Sequence, residues 1–318
     1  MRVLLLLLIS SFYLHGYDFD HPKYELIQKA LVQEHNFSAE EIKLIIGEAE
    51  KQQKIIDSMN SPAEFTWTWD KYRKLFIEPK RIRNGKLFIK NNLETLERAE
   101  TQFGVPKEVI TAILGVETRY GKIMGSYRVL DALSTLTFDY PRRSNFFSQE
   151  LINLLLLARE NNLDIFKLKG SYAGAMGYGQ FIPSSYRAYA VDFDNDGSVD
   201  LLNSVEDAIG SIGNYLFQHG WKSNHPIIWE VNDSFEGLDS NLVNNVRKKV
   251  NFDSKTMSPK NVIDFNFEEL NTDVLLLSYE TNKSTSYFVG SRNFIAITKY
   301  NVSHFYAKAV YELAQEFL

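Results

Sequence analysis

Gly115-Val116-Glu117-Thr118-Arg119-Tyr120-Gly121 closes an apolar run with a carboxylate and then a glycine. Upstream, Pro106 suits the first turn of a helix carried by Val109, Ile110, Ile113, Leu114 and Val116. Glu117 therefore falls at the end of that helix, where Gly121 can break it. Burial beside Ile110, Ile113 and Val116 would raise its pKa and hold a proton near neutrality. The plainer reading is an ion pair with Arg119 or Lys122.

Outward from this point the chain reads as helices first and strands late. Ser38 and Glu41 have capping-box spacing and open a helix over 38–57, carried by Ile42, Leu44, Ile45, Ile46 and Ala49. Residues 62–77 hold Trp67, Trp69, Tyr72, Leu75 and Phe76 without a decisive period. Asn92–Gln102 reads as a helix stopped by Gly104, Phe147–Asn161 as a buried one, and Asp207–His219 as one capped by Gly220. Ser303 caps a final amphipathic helix containing Phe305, Val310, Leu313 and Phe317. Between residues 224 and 292 the pattern changes to Ile227–Val231, Val274–Tyr279 and Ser284–Val289, separated by Asn, Asp and Ser. The expected fold class is mainly α (α+β). A small β-containing insertion (224–292) is set into a helical unit made of 17–223 with 293–318.

Composition narrows the function classes. The 318 residues carry 35 Lys+Arg against 40 Asp+Glu, a net charge of −5, and lack the basic footprint of a nucleic-acid binder. Cysteine is absent, which excludes disulfides, thiolate metal sites, a cysteine nucleophile and a lipidated-cysteine anchor. Arg2 precedes an apolar stretch from Val3 to Leu14, short of the ~20 residues a spanning helix needs. A charged start and a short apolar centre fit a signal peptide ending at Gly16, and so an exported, soluble protein. A buried N-terminal helix and an uncleaved anchor are the alternatives.

Two further stretches carry chemistry. Lys169-Gly-Ser-Tyr-Ala-Gly-Ala-Met-Gly-Tyr-Gly-Gln-Phe-Ile-Pro-Ser-Ser-Tyr186 places glycines at 170, 174, 177 and 179 among tyrosines and an amide suited to a sugar. It lacks the pattern of a phosphate-binding loop, and a tight structural turn is its bland reading. Asp192-Phe-Asp194-Asn-Asp196-Gly197-Ser198 sets carboxylates at alternating positions with a glycine at the sixth, the front of an EF-hand loop suited to calcium. Position twelve is Asn203, so closure falls to Glu206 or Asp207 in a longer loop. A solvated acidic turn is the alternative.

GVETRYG (115–121), LDALSTLTFDYPRR (130–143), the Gly-rich stretch (169–186), DFDNDG (192–197) and DAIGSIGNYL (207–216) occur in that order. Together they resemble the soluble lytic transglycosylases of the membrane-bound lytic transglycosylase B family, from Trp67 to Trp221 and again from Ile295 to Tyr311. The resemblance implies a lysozyme-like core with an additional α domain, a small β domain and a groove for a glycan strand of peptidoglycan. Its sole catalytic acid falls on Glu117. That residue would protonate the glycosidic oxygen between N-acetylmuramic acid and N-acetylglucosamine, then take a proton from the muramyl C6 hydroxyl as it attacks C1. A 1,6-anhydromuramyl end results, without the second carboxylate that ordinary glycosidases use.

Other positions follow from the same resemblance. Ser171 and Gln180 match groove residues, Tyr178 and Met176 groove walls, and Tyr215 and Tyr72 groove tyrosines. Tyr300, Asn301 and Tyr306 match a late segment returning to the site. Asp192, Asp194, Asp196 and Ser198, closed by Asp207, match a structural calcium loop. No organic cofactor is implied. The implied setting is a periplasmic monomer acting on peptidoglycan, beside other enzymes of cell-wall synthesis or hydrolysis. The competing readings are a calcium-dependent peptidoglycan-binding protein without turnover, and a hydrolytic muramidase using Asp139 as second carboxylate.

Overall fold

The computed structural model describes residues 17, 19–60, 67–231, 235, 238–251, 272–281 and 284–318. The expected signal peptide lies outside the described residues.

The N-terminal part folds as α1 (Pro22–His35), α2 (Ala39–Gly47), α3 (Gln53–Asn60), α4 (Trp69–Phe76), α5 (Pro79–Asn91), α6 (Leu93–Phe103) and α7 (Lys107–Thr118). A two-residue strand β1 (Tyr127–Arg128) then leads into α8 (Val129–Phe138) and α9 (Ser144–Glu160). After β2 (Lys169–Gly170) come α10 (Pro183–Tyr189) and α11 (Val205–Gln218). Strands β3 (Ile228–Val231), β4 (Val250–Asn251), β5 (Asp273–Glu280) and β6 (Thr285–Gly290) precede α12 (Arg292–Tyr300) and α13 (His304–Gln315).

The long helix expected over 38–57 is two helices. Ser38 caps the first as predicted, its Oγ accepting the Glu41 N–H at 3.0 Å. The second break is imposed from α8: Asp131 Oδ1 accepts the Glu50 N–H at 2.9 Å and Thr135 Oγ1 accepts the Gln52 N–H at 3.0 Å. Those two N–H groups find side-chain partners there instead of helical carbonyls. Helices α1, α5, α8, α10 and α12 carry no assignment in the sequence reading, although Pro22, Pro79 and Pro183 stand at helix N-termini.

The acid-bearing helix α7 is central. Ile110, Thr111, Ala112, Ile113 and Leu114 are all fully buried, with α5, α6, α11 and α13 packed around it. Gly104, at φ +68°, ends α6 as read, and Trp221 Nε1 donates to its carbonyl at 2.8 Å.

The antiparallel sheet has the order β3-β6-β5-β4, with Ile228 opposite Gly290 and Leu276 opposite Val289. Alternation along β5 sends Leu275, Leu277 and Tyr279 into the main core. Val274 and Leu276 go to a second cluster with Trp229, Val231 and Val289. The sheet is tied to α13 by Tyr279, whose hydroxyl donates to the His304 carbonyl at 3.0 Å. Lys308 strengthens the tie: its ammonium lies 4.4 Å from the Phe288 ring centroid and bonds Glu312, which Arg73 of α4 also reaches.

Candidate active site

Glu117 sits in the last turn of α7, half-buried, and its Oε1 accepts a hydrogen bond from the Tyr306 hydroxyl at 2.6 Å. Ser303 delivers that tyrosine: its Oγ accepts the Tyr306 N–H at 3.3 Å and starts α13. Tyr306 is 2% exposed, and burial followed by the Glu117 charge raises its phenol well above the ordinary value. It is therefore a fixed neutral donor. Tyr300 lies parallel to it, rings 6.4 Å apart at 9°, and donates to the Gly179 carbonyl.

Past Glu117 the backbone turns through three consecutive left-handed residues, Arg119 (φ +52°), Tyr120 (φ +63°) and Gly121 (φ +82°). Non-glycine residues resist this region by about 1–2 kcal/mol each, so tertiary contacts must hold them there. Tyr120 is pinned by its hydroxyl on the Arg81 carbonyl, 2.8 Å, and its N–H on the Leu114 carbonyl, 3.0 Å. Gly121 has no alternative: a Cβ there would lie 2.0 Å from Tyr178 Cε1.

The Gly-rich stretch is brought to this turn by β1–β2 pairing, Tyr127 opposite Gly170 and Arg128 opposite Lys169. Within it Ser171 Oγ accepts the Ala173 and Ala175 N–H groups at 3.3 and 3.1 Å. Gln180 Nε2 donates to the Met124 and Gly177 carbonyls at 3.1 and 2.9 Å. Both polar side chains thus hold the loop in shape beside the acid. Tyr178 is half-buried with its ring against Gly121.

Two sequence-predicted groove residues are placed differently. Met176 is 1% exposed and exchanges backbone hydrogen bonds with Phe181, so it belongs to the core and not to a groove wall. The Tyr215 ring is stacked on His219 at 4.1 Å, and its hydroxyl donates to the Lys299 carbonyl at 2.6 Å. Tyr306, from the late segment expected to return to the site, does return and gives its hydroxyl to Glu117. Both tyrosines are buried, with their hydroxyls taken by protein partners.

A cavity of about 1070 Å³ lies among the described residues, and Glu117 is not part of its lining. Tyr72, Asn301, Ser303 and Phe305 line it, and Tyr306 follows directly in sequence. Tyr140, Tyr172, Arg142 and Arg143 form other parts of its wall. His304, also in the wall, has its pKa lowered to about 4 by burial and is neutral at ordinary pH. Asp139, the alternative second carboxylate, is paired with Lys51 at 2.5 Å, at the end of α8.

In the acidic loop, carboxylate oxygens of Asp192, Asp194 and Asp196 lie within 4.8 Å of one another, a hard-oxygen set that fits a calcium ion. Asp207, read as the closing ligand, does something else. Its Oδ1 accepts the Phe193 and Asp194 N–H groups at 2.7 and 3.3 Å, and its Oδ2 accepts Asp200 N–H at 2.7 Å. Burial pushes this carboxyl up and the three N–H bonds pull it back. Asp207 braces the loop backbone from α11. Ser198 is exposed, its hydroxyl on Asp196 at 3.3 Å.

Residues 19–315 match the model of the transglycosylase SLT domain. The chain belongs to the transglycosylase SLT domain family. It is 38% identical over 310 residues to membrane-bound lytic murein transglycosylase B of Escherichia coli (strain K12), covering 94% of this chain and 84% of that protein. The Escherichia coli lytic transglycosylase SLT35, solved in complex with calcium, superimposes with a TM-score of 0.84 at 38% identity, with 95% of each chain covered. SltB3 of Pseudomonas aeruginosa, solved with NAG-anhNAM-pentapeptide, gives a TM-score of 0.79 at 29% identity over 95% of this chain and 80% of that one.

Thr118 was missed by the sequence reading. Fully buried next to the acid, it bonds the Tyr178 carbonyl at 2.8 Å and accepts the Gly121 N–H at 2.9 Å. A lone threonine beside a glutamate carries no signal in one sequence.

Proposed function

We propose that this protein is a lytic murein transglycosylase that cleaves the β-1,4 bond between N-acetylmuramic acid and N-acetylglucosamine without water. The observation that carries this is Glu117 itself: one half-buried carboxyl at the end of a rigid helix, oriented by a neutral phenol. Its proton goes to the glycosidic oxygen, the C1–O bond breaks, and N-acetylglucosamine leaves as an alcohol. The carboxylate then takes the proton of the muramyl C6 hydroxyl while that oxygen bonds C1. Atoms balance with no water consumed, and Glu117 ends protonated for the next turnover. The Tyr306 hydroxyl favours the carboxylate formed between the two steps. Asp139, held by Lys51, offers no support for a hydrolytic second carboxylate.

Tyr72, Asn301 and the exposed Arg142 and Arg143 on the cavity wall suit a sugar strand with acidic peptides. Among the described residues no helix is long and apolar enough to cross a membrane. The charged start and short apolar stretch of residues 1–16 support export to the periplasm. The catalytic unit is 17–223 with 293–318, and 224–292 is the inserted sheet. We read the protein as a monomer. Digestion of sacculi followed by mass spectrometry tests the proposal. Wild type should release muropeptides one water lighter than hydrolysis products, and Glu117→Gln none. Hydrated reducing ends would make it a muramidase. Binding without release by folded wild type would leave a non-catalytic binding protein.

Asp192, Asp194 and Asp196 would hold a calcium ion whose role is to stabilise the α10–α11 connection. Calcium at about 100 times its dissociation constant should add ~2.7 kcal/mol of stability. Thermal unfolding with calcium and with chelator reads this as a rise in Tm, which Asp192→Ala abolishes. An unchanged Tm in wild type would refute the site.

A further inference from the structure

A circuit of contacts runs through the acid, and Thr118 is one of its links. Starting from Glu117, the chain runs to Thr118, whose hydroxyl bonds the Tyr178 carbonyl at 2.8 Å. The adjacent carbonyl, Gly179, receives the Tyr300 hydroxyl from the opposite side. Tyr300 stacks in parallel on Tyr306, and Tyr306 returns to Glu117 Oε1 at 2.6 Å.

The Thr118 hydroxyl has one proton and two carbonyls in reach, Tyr178 at 2.8 Å and Leu114 at 3.2 Å. The Leu114 carbonyl already accepts the Arg119 and Tyr120 N–H groups. The proton therefore goes to Tyr178, and the oxygen's lone pair takes Gly121 N–H at 2.9 Å. One hydroxyl thus fixes both the left-handed turn that ends the acid helix and the distance from that helix to the Gly-rich loop. Room for the loop's approach comes from Gly121, and a Cβ at Gly179 would lie 2.8 Å from the Tyr300 hydroxyl.

We infer that Thr118 is a positioning residue for the acid, its hydroxyl locking Glu117 to the Gly-rich loop by closing this circuit. The inference rests on the transglycosylase reading, since it concerns the placement of that reaction's acid. Thr118 acts through Glu117 and touches no substrate. Loss of the lock leaves glycan binding in place and lowers the fraction of time that the carboxyl sits at reacting distance.

Thr118→Val keeps the volume and removes the hydroxyl, whereas Thr118→Ser keeps the hydroxyl. On purified sacculi, Thr118→Val should lower kcat about 10-fold or more with KM within about twofold. Thr118→Ser should restore kcat to within about threefold of wild type by the same reasoning. Tyr300→Phe cuts the circuit at its opposite link, and the double variant should lose less than the product of the two single losses. If Thr118→Val does not fold, Thr118→Ala carries the test: it removes the same hydroxyl, and its kcat should fall about 10-fold while Thr118→Ser stays within about threefold of wild type. The inference is overturned if Thr118→Val keeps wild-type kcat, if serine rescues no better than valine, or if the losses multiply independently. Anhydro products from wild type in the same assays keep these outcomes separate from failure of the transglycosylase reading.

Discussion

Glu117→Gln should turn over sacculi at least about 10³-fold more slowly than wild type while unfolding at nearly the same temperature. The rate loss follows from using one group twice, as acid for the leaving oxygen and as base for the attacking one. Acid–base help in a single step is typically worth about 10²–10⁴-fold. The stability should hold because the amide oxygen of glutamine can still accept the Tyr306 hydroxyl, the contact that burial of Tyr306 makes most costly to leave open. Glu117→Asp adds a second arm. It retains the acid but withdraws it by one methylene, and a misplacement of about 1 Å is expected to cost ~10²-fold. Initial rates of soluble muropeptide release, read beside thermal melts, check both. Wild-type rates in Glu117→Gln would remove the acid from the account. A collapse of Tm would make the rate loss uninterpretable as chemistry, and Glu117→Asp would then decide.

Gly125→Ala should destabilise the protein by about 2–5 kcal/mol, the sum of overpacking and the left-handed dihedral, and separate the acid turn from the Gly-rich loop. Gly125 has φ +95°, and a Cβ there would lie 2.1 Å from both the carbonyl carbon and oxygen of Gly170 and 2.6 Å from the Ser171 nitrogen. All three are backbone atoms, so no rotamer change relieves the clash. The β1–β2 pair, which holds residues 169–170 against 127–128, has to move. Gly220→Ala is the matched control: φ is +90° and nothing lies within 4 Å of the added carbon. It isolates the dihedral cost, about 1–2 kcal/mol. Urea unfolding of both variants measures the difference. Equal losses would mean that backbone conformation alone, and not close approach, sets the requirement for glycine at 125.

Much of this site could be read before the fold was known, for local reasons. A glutamate at the end of an apolar helix, four glycines interleaved with tyrosines, and carboxylates at alternating positions each announce themselves within a few residues. So did the sheet, since Ile227–Val231, Val274–Tyr279 and Ser284–Val289 lie within two residues of the observed strands. What stayed hidden was decided at long range. The break between α2 and α3 is made by Asp131 and Thr135, some eighty positions away in sequence. Helix α5 contains Gly85, an unpromising helix residue, because a Cβ there would meet Phe317 at 2.4 Å and the Tyr120 hydroxyl at 2.6 Å. Side-chain direction inside the Gly-rich stretch was equally unreadable: Met176 points to the core and Tyr178 to the acid turn. Asp207 looked like a ligand because its type and spacing suited one. Three N–H donors from the loop backbone give it a different task.

The central claim is that the muramyl C6 hydroxyl, and not water, attacks C1 with Glu117 as the only acid and base. Digestion of sacculi in water enriched in heavy oxygen tests it directly. The account predicts muramyl ends that carry no label and weigh one water less than reducing ends. Heavy oxygen at C1 of the released ends would contradict it.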